Sequence, residues 1–477
     1  MASIATLPLE LLQHIFYYAC VSTTNEDAHV YRMAVKRDYP ELPFQHVLLQ
    51  VCHQWHNAAG AALRLWSSIR IQWFRKSLVD VKRIQQIVQG VIQRTGTAPL
   101  DIALPGDAWD AVARCFIPES TRWKILSVSN AYSSLQISQY RALQDKLPAL
   151  ETLIFFPRQP TDCTPEIWKE YANAVSLMLS NAPCLRRVSG HLDLLSLSFP
   201  WKQIEEVIVH LGPNAKPRDR FHWSEDLKNC TSVRDLMIFG EPPKYNTDIR
   251  MPSVQYLRCM SFSERWLACL TLPALRRLLV HGIALPNLPG LVARSGCQLN
   301  ALAINIPPAL DDSTVSNFRA ILPYLPRLES LKLYYYLPLA ETRSPLRVVP
   351  RLAELLDPVA NANALPLLAE FCLSLVHTSG ADAHLSGVEG DGETEIMLRT
   401  ALAVTESILR PTMRFASIDL ENISKIMGSM DEQVVLGLAE FVKLQARARS
   451  EGVLTRVRLV VKLAENGNRV LMDSYLK

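Results

Sequence analysis

Apolar residues are spaced in two different ways along this chain. Up to about residue 70 they recur at helical spacing: Leu7, Leu11, Leu12, Ile15 and Phe16, then Val47, Leu48, Val51, Cys52 and Trp55. The first set predicts a helix opened by Pro8, where a first-turn proline is tolerated, with Thr6 as its cap. The second predicts a helix over about Gln45–Ala62, and Leu65, Trp66 and Ile69 close the segment. A polar stretch, Ser22 to Pro43, separates the two. Val79–Gln93 predicts a further amphipathic helix.

Beyond residue 95 the spacing changes and a short phrase recurs. It starts with a proline, has an apolar residue two later and another three after that, and ends in alternating apolar positions. It reads PALETLIF from Pro148, PCLRRV from Pro183, PSVQYLRC from Pro252, PALRRLLV from Pro273, PRLESLKL from Pro326 and PLLAEFCL from Pro366. Copies without the proline start at Ile204, Ser232 and Gln298, and strand-like pieces follow Pro99, Trp123, Ala416 and Leu454. The interval between copies varies, from 19 residues (Leu185 to Ile204) to 40 (Leu328 to Leu368). Irregular periods of roughly 20 to 50 residues predict a solenoid with variable insertions. Helix candidates between copies, such as Glu166–Leu179 and Ser316–Leu322, make it a strand-plus-helix repeat lining a parallel sheet. Proline has no ladder donor, so it belongs before each strand and not inside it.

Alternation assigns the faces. The open side of the sheet is expected to carry Glu206, Ile208, His210, Asp235, Met237, Phe239, Tyr256, Arg258, Met260, Arg277, Leu279, His281, Lys332 and Tyr334. Aromatic, Met and Arg residues of this kind are enriched at interface cores. Met237, Phe239, Tyr256, Arg258, Arg277, His281, Lys332 and Tyr334 are therefore the candidates for binding a partner protein, unless helices or the C-terminal segment cover them. Arg186, Arg187, Arg276 and Arg277 could pair with phosphate, but neighbours on a strand face opposite ways.

Composition narrows the class. Of 477 residues 49% are hydrophobic, enough for a sizeable core. Lys plus Arg (50) nearly balances Asp plus Glu (46), which weakens any broad electrostatic footprint for nucleic acid. Thirty prolines against 18 glycines reverse ordinary usage, roughly 5% and 7%. That argues for many ordered turns rather than glycine-rich phosphate loops. The ten cysteines form no C-x-x-C pair and read as reduced, mostly buried thiols. No secretory signal and no apolar run of about 18 residues is visible, so cytosol or nucleus is the expected compartment and no membrane partner is expected.

Candidate chemistry is sparse. His53 and His56 beside Cys52 could begin a zinc site, but no further ligand pair follows at zinc spacing, and surface histidines are the plainer reading. Gly387, Gly390 and Gly392 lie among Glu389 and Asp391, which would repel phosphate. No G-x-S-x-G or H-E-x-x-H occurs. A non-catalytic chain without cofactors or metal is expected.

The N-terminal residues Leu7-Pro8-Leu9-Glu10-Leu11-Leu12, Ile15-Phe16, Val51-Cys52-His53-Gln54-Trp55 and Leu65-Trp66 together resemble an F-box, and the downstream phrase resembles the irregular leucine-rich repeats of fungal F-box proteins. The stretch between Phe16 and Val51 is longer than in that family. The resemblance implies docking of a Skp-type adaptor, and through it the cullin and RING subunits of an SCF ubiquitin ligase. The implied contacts are Leu7, Pro8, Leu9, Leu11, Leu12, Ile15, Val51, Cys52, Trp55 and Trp66. Trp55 and Trp66 suit either core or interface. The repeats would bind a client protein, or serve as a binding scaffold outside any ligase. The expected fold is α/β: an N-terminal helical F-box (1–75), a connecting helix (76–97), a curved leucine-rich-repeat solenoid with a parallel sheet (98–464) and a tail (465–477). A mobile insertion is expected at about 378–394, followed by helices Ile396–Leu409 and Asp431–Arg449.

Overall fold

The computed structural model of the chain describes residues 7–22, 31–35, 40–41, 44–73, 81–129, 134–156, 165–191, 200–210, 227–240, 248–260, 265–306, 312–337, 367–377, 415–421, 456–465 and 468–474. The expected insertion at 378–394 and the helices Ile396–Leu409 and Asp431–Arg449 lie outside these residues. The chain divides into two compact units, Met1–Arg234 and Asp235–Lys477.

In the first unit the elements are α1 (Leu9–Ser22), β1 (Tyr31–Val35), β2 (Pro40–Glu41), α2 (Phe44–Val51), α3 (His53–Ala61), α4 (Leu63–Trp66), β3 (Ser68–Trp73), α5 (Val81–Arg94), β4 (Leu100–Pro105), α6 (Gly106–Phe116), β5 (Trp123–Ser129), α7 (Ser134–Ala142), β6 (Thr152–Phe156), α8 (Pro165–Leu179), β7 (Arg187–His191) and β8 (Glu206–His210). Strands β3 to β8 pair in chain order, all parallel. The polar stretch before α2 is not a plain loop. Its strand β1 adds in parallel to β3, and β2 pairs antiparallel with β1. Because β3 also pairs with β4, the strands of the N-terminal segment join the sheet of the repeats.

The second unit holds β9 (Asp235–Phe239), β10 (Ile249–Arg250), β11 (Tyr256–Cys259), α9 (Arg265–Cys269), β12 (Leu270–Thr271), β13 (Arg277–His281), α10 (Leu288–Ser295), β14 (Ala301–Ile306), α11 (Asp312–Ile321), β15 (Ser330–Leu337), β16 (Glu370–His377), β17 (Phe415–Glu421), β18 (Arg456–Glu465) and β19 (Asn468–Ser474). Its parallel sheet runs β9, β11, β13, β14, β15, β16, β17, β18. The residues expected as a tail supply β19, antiparallel to β18. Strands β10 and β12 form a separate parallel pair. The fold class is therefore α/β, with parallel sheets and one strand per repeat.

The recurring phrase has a definite local structure. The N–H of its first apolar residue donates to the carbonyl just before the proline: Leu150 to Leu147 (3.3 Å), Leu185 to Ala182 (3.1 Å), Leu275 to Leu272 (3.1 Å) and Leu328 to Leu325 (3.1 Å). Proline thus sits second in a β-turn, where its fixed φ is favoured and its missing N–H costs nothing. The residue preceding it is buried in each case, so the phrase begins one residue earlier than the proline. Consecutive repeats are then stitched at the strand entrance by shared carbonyls. Glu151 O accepts from Arg186 N and Arg187 N (2.9 and 3.0 Å), and Gln255 O from Arg276 N and Arg277 N (2.9 Å each).

What fills the space behind the strands depends on the length of each repeat. Where full helices intervene, large aromatics do so: Trp109 on α6 meets Trp123 (6.3 Å between ring centres) and Tyr140 on α7 (5.5 Å), and Tyr140 meets Phe155 and Tyr171. Burial raises the pKa of the Tyr140 hydroxyl, so it stays protonated. In the shorter repeats around β9, β11 and β13, aliphatic chains such as Leu236, Val254, Leu257 and Leu278 share this space with the buried Trp266, whose indole donates to Gly240 O (3.1 Å). One local contact closes the start of the array. Arg122 reaches Ala98 O (2.6 Å), Thr95 Oγ1 (2.8 Å) and Glu119 (2.8 Å), which ties the end of α5 to the entrance of β5.

Removing buried bulk should cost far more than removing the turn residue. Leu278→Ala leaves a cavity in a fully packed position and is expected to cost roughly 2–5 kcal/mol. The exposed Pro273→Ala acts only through chain entropy, about 0.4–1 kcal/mol. Urea-denaturation midpoints of the two variants test this ordering.

Candidate docking surfaces

Helices α1 and α2 each carry two apolar stripes. On α1, Leu12 and Phe16 are buried, while Leu9, Leu11, Ile15 and Tyr18 are exposed. On α2, Leu48 is buried, while Phe44, Val47 and Val51, spaced i, i+3, i+7, are each about half exposed (47%, 50% and 53%). A stable surface helix needs one apolar stripe facing its core. The second stripe is surplus to folding and forms an exposed apolar patch of the kind that marks an interaction site. Tyr18, Phe44 and Val47 were not among the expected contacts; the i, i+3, i+7 pattern on α2 was the signal for the latter two.

Other expected contacts fall elsewhere. Leu7 is half-buried and Pro8 exposed, with the Pro8 carbonyl accepting from Leu12 N (3.1 Å). Cys52 is exposed and caps α3, its Sγ accepting from Trp55 N (3.5 Å). Trp55 packs on Phe16 (4.9 Å between ring centres) and is half-buried. Leu12 and Trp66 are fully buried, against expectation, and have no surface to offer a partner. The Trp66 indole donates to Ala59 O (2.7 Å), with His46 edge-on (5.6 Å) and Arg94 over the ring (5.3 Å). It is the core of the helical cluster. His53 and His56 do not converge on a metal site. His56 Nδ1 lies 2.9 Å from Leu49 O, His53 pairs with Asn57, and no three His, Cys, Asp or Glu side chains come together among the described residues.

The open faces of the sheets divide by chemistry. In the first unit Arg187 pairs with Glu206 (3.3 Å) and Arg186 with Glu205 (3.6 Å), so neither is free for phosphate. Phe156 sits edge-on to His191 (5.4 Å) and His210 (4.8 Å), which are register partners. Burial, and then the neighbouring His191, lower the His210 pKa.

In the second unit the register aligns three rows. The first runs Asp235, Tyr256, Arg277, Ala301, Ser330; the second runs Met237, Arg258, Leu279, Ala303, Lys332. The third contains His281, Asn305 and Tyr334. Two of its members, His281 and Asn305, are buried. His281 therefore leaves the set of accessible candidates: its Nδ1 accepts from Ile283 N (3.5 Å), capping the turn that folds over the strand end. Arg258 is bound to Asp235 by two contacts (3.1 and 3.3 Å). Arg258 and Arg277 both lie over the Tyr256 ring (5.3 and 4.9 Å). Met237, Phe239, Tyr256, Arg258 and Tyr334 are half-buried, while Arg277 and Lys332 are exposed.

A repeat protein with one strand per repeat, its strands aligned in parallel sheets, is what these elements define. No family model matches the chain, and no curated protein matches it. Among solved structures it is similar to the crystal structure of the leucine-rich repeat-containing protein LegL7 from Legionella pneumophila. The identity is 12% and the TM-score 0.30, over 72% of this chain and 92% of that one. A likeness at that level carries no argument; the fold rests on the register above. No helix among the described residues is long and apolar enough to cross a membrane.

The half-buried His46 sets a pH dependence. Burial, and then Arg94, hold the His46 pKa below its ordinary 6.5, so the folded state prefers the neutral ring. As pH falls below about 6.5 the unfolded chain takes up the proton first, and stability is lost until the folded pKa is passed. The wild-type melting midpoint should drop between pH 7 and pH 5, and His46→Gln should drop less. Equal slopes would exclude the role given to His46.

Proposed function

We propose that the chain is a non-catalytic substrate receptor of an SCF-type ubiquitin ligase. The observation that carries this reading is the second apolar stripe on α1 and α2, exposed within the segment whose Leu-Pro-x-Glu-Leu-Leu, Val-Cys-x-x-Trp and Leu-Trp blocks resemble an F-box. On this reading Leu9, Leu11, Ile15, Phe44, Val47 and Val51 meet a Skp-type adaptor that brings the cullin and RING subunits. Leu12, Phe16, Leu48 and Trp66 hold the helices in the shape that presents them. The repeats hold a client protein on their open strand face. The chain does no chemistry; it raises the effective concentration of client near a ubiquitin-charged partner. Cytosol or nucleus is the compartment that goes with this role.

A second reading, a repeat-based scaffold outside a ligase, draws on the segment between α1 and α2. Its strands β1 and β2 extend the sheet beside the helices that would meet the adaptor.

Leu11 and Val51 are more than half exposed, so Leu11→Asp with Val51→Asp should leave the fold within about 0.5 kcal/mol per site. Pull-down from native extract is expected to recover a Skp-type adaptor and a cullin with wild-type protein and to lose both with the double variant, while the two melt alike. Equal recovery by both proteins, or none by either, sinks the receptor reading. Adaptor without cullin favours the scaffold.

A further inference from the structure

We propose that the open sheet face of Asp235–Lys477 recognises an acidic peptide segment, with Arg277 and Lys332 as its two anion-binding groups. This rests on the reading that the repeat face holds a client protein, and it assigns that client a chemistry.

Three observations support it. First, the two arginines on the Tyr256 ring are not equivalent. Arg258 spends its donors on Asp235, whereas the exposed Arg277 has no acceptor for its guanidinium among the described residues. Stacked on Tyr256, Arg277 is held in place with its donor edge open, the arrangement that favours bidentate capture of a planar carboxylate. Second, Lys332 is exposed and has no carboxylate partner among the described residues. Third, the positions between them are small. Arg277 is followed in its row by Ala301, and Ala303 precedes Lys332 in the next, so the floor between the two cations is low. Glu370, the register partner of Ser330, bounds this cationic stretch on the far side.

The spacing makes the ligand specific. Arg277 and Lys332 are two strands and two residues apart, which at about 4.8 Å per strand and 3.3 Å per residue is about 12 Å. An extended peptide covers that in three to four residues. The face is therefore matched to two acidic side chains three or four positions apart.

The test uses the full chain and three fluorescein-labelled ten-residue peptides of Gly, Ser and Ala, carrying at positions four and seven Glu, Gln or phosphoserine. Fluorescence anisotropy is expected to give at least tenfold tighter binding of the Glu peptide than the Gln peptide. Arg277→Gln should lose about tenfold and Lys332→Gln severalfold, while Arg187→Gln in the other unit changes nothing. Indifference to Glu against Gln, no measurable binding, or binding of the phosphoserine peptide alone overturns the acidic-segment assignment. A parallel pull-down with Leu279→Glu separates the two levels. If that variant loses its co-purifying clients while Arg277→Gln and Lys332→Gln keep them, the face binds a client but not through acidic side chains. If all three keep them, the client reading fails as well.

Discussion

Everything in this chain depends on matched register between neighbouring parallel strands. A single repeat offers too little apolar surface to bury by itself; it folds because the next one covers it. The equivalent positions meet directly: Leu126, Leu153, Val188 and Val207 in one unit, Leu236, Leu257, Leu278, Leu302 and Leu331 in the other. All of them are buried. A slip of one residue would turn each row of leucines to the open side and bring its arginines and glutamates into the core. The proline-containing turn sets where each strand begins, and the doubly accepting carbonyl at the entrance fixes that start relative to the previous strand. With the strand position held this way, the segment between strands is free to vary. It can be a helix such as α8 or a short turn, because only the matched rows must be preserved.

The same constraint organises the candidate sites. Residues on the open face are displayed in rows because the rows behind them are locked. That is why Tyr256, Arg258 and Arg277, drawn from two different repeats, come to share one stack. The N-terminal helices follow a different rule. Among the described residues no repeat covers their second apolar stripe, and β3 anchors the cluster to the sheet while leaving that stripe outside.

Much of this was legible in the residues, though unevenly. Alternation placed Arg277, Leu279 and Lys332 on the open face, and the phrase with its strand-like variants located the strands from β4 to β18 except β10 and β12. Alternation could not see that His281 is covered, because the turn after β13 folds over the strand end and takes the imidazole as its cap. Helical spacing found Leu11, Leu12, Ile15 and Trp66 together but could not sort them. Neighbouring stripes on one helix look alike until it is known which one meets α3 and α4. The strand β1 was missed although Tyr31, Met33 and Val35 alternate, because so short a run inside a polar stretch is a weak signal and its pairing partner β3 lies about forty residues away.

The sequence alone determined the repeat and the face each strand residue takes, since both follow from local rules: a period of two along a strand and a proline suited to the second place in a turn. Only the tertiary structure decided which apolar residues are core and which are surface, and which arginine is neutralised by a carboxylate and which remains open. Those outcomes depend on neighbours one or more repeats away in the chain, and no local pattern encodes what a distant side chain will already have satisfied.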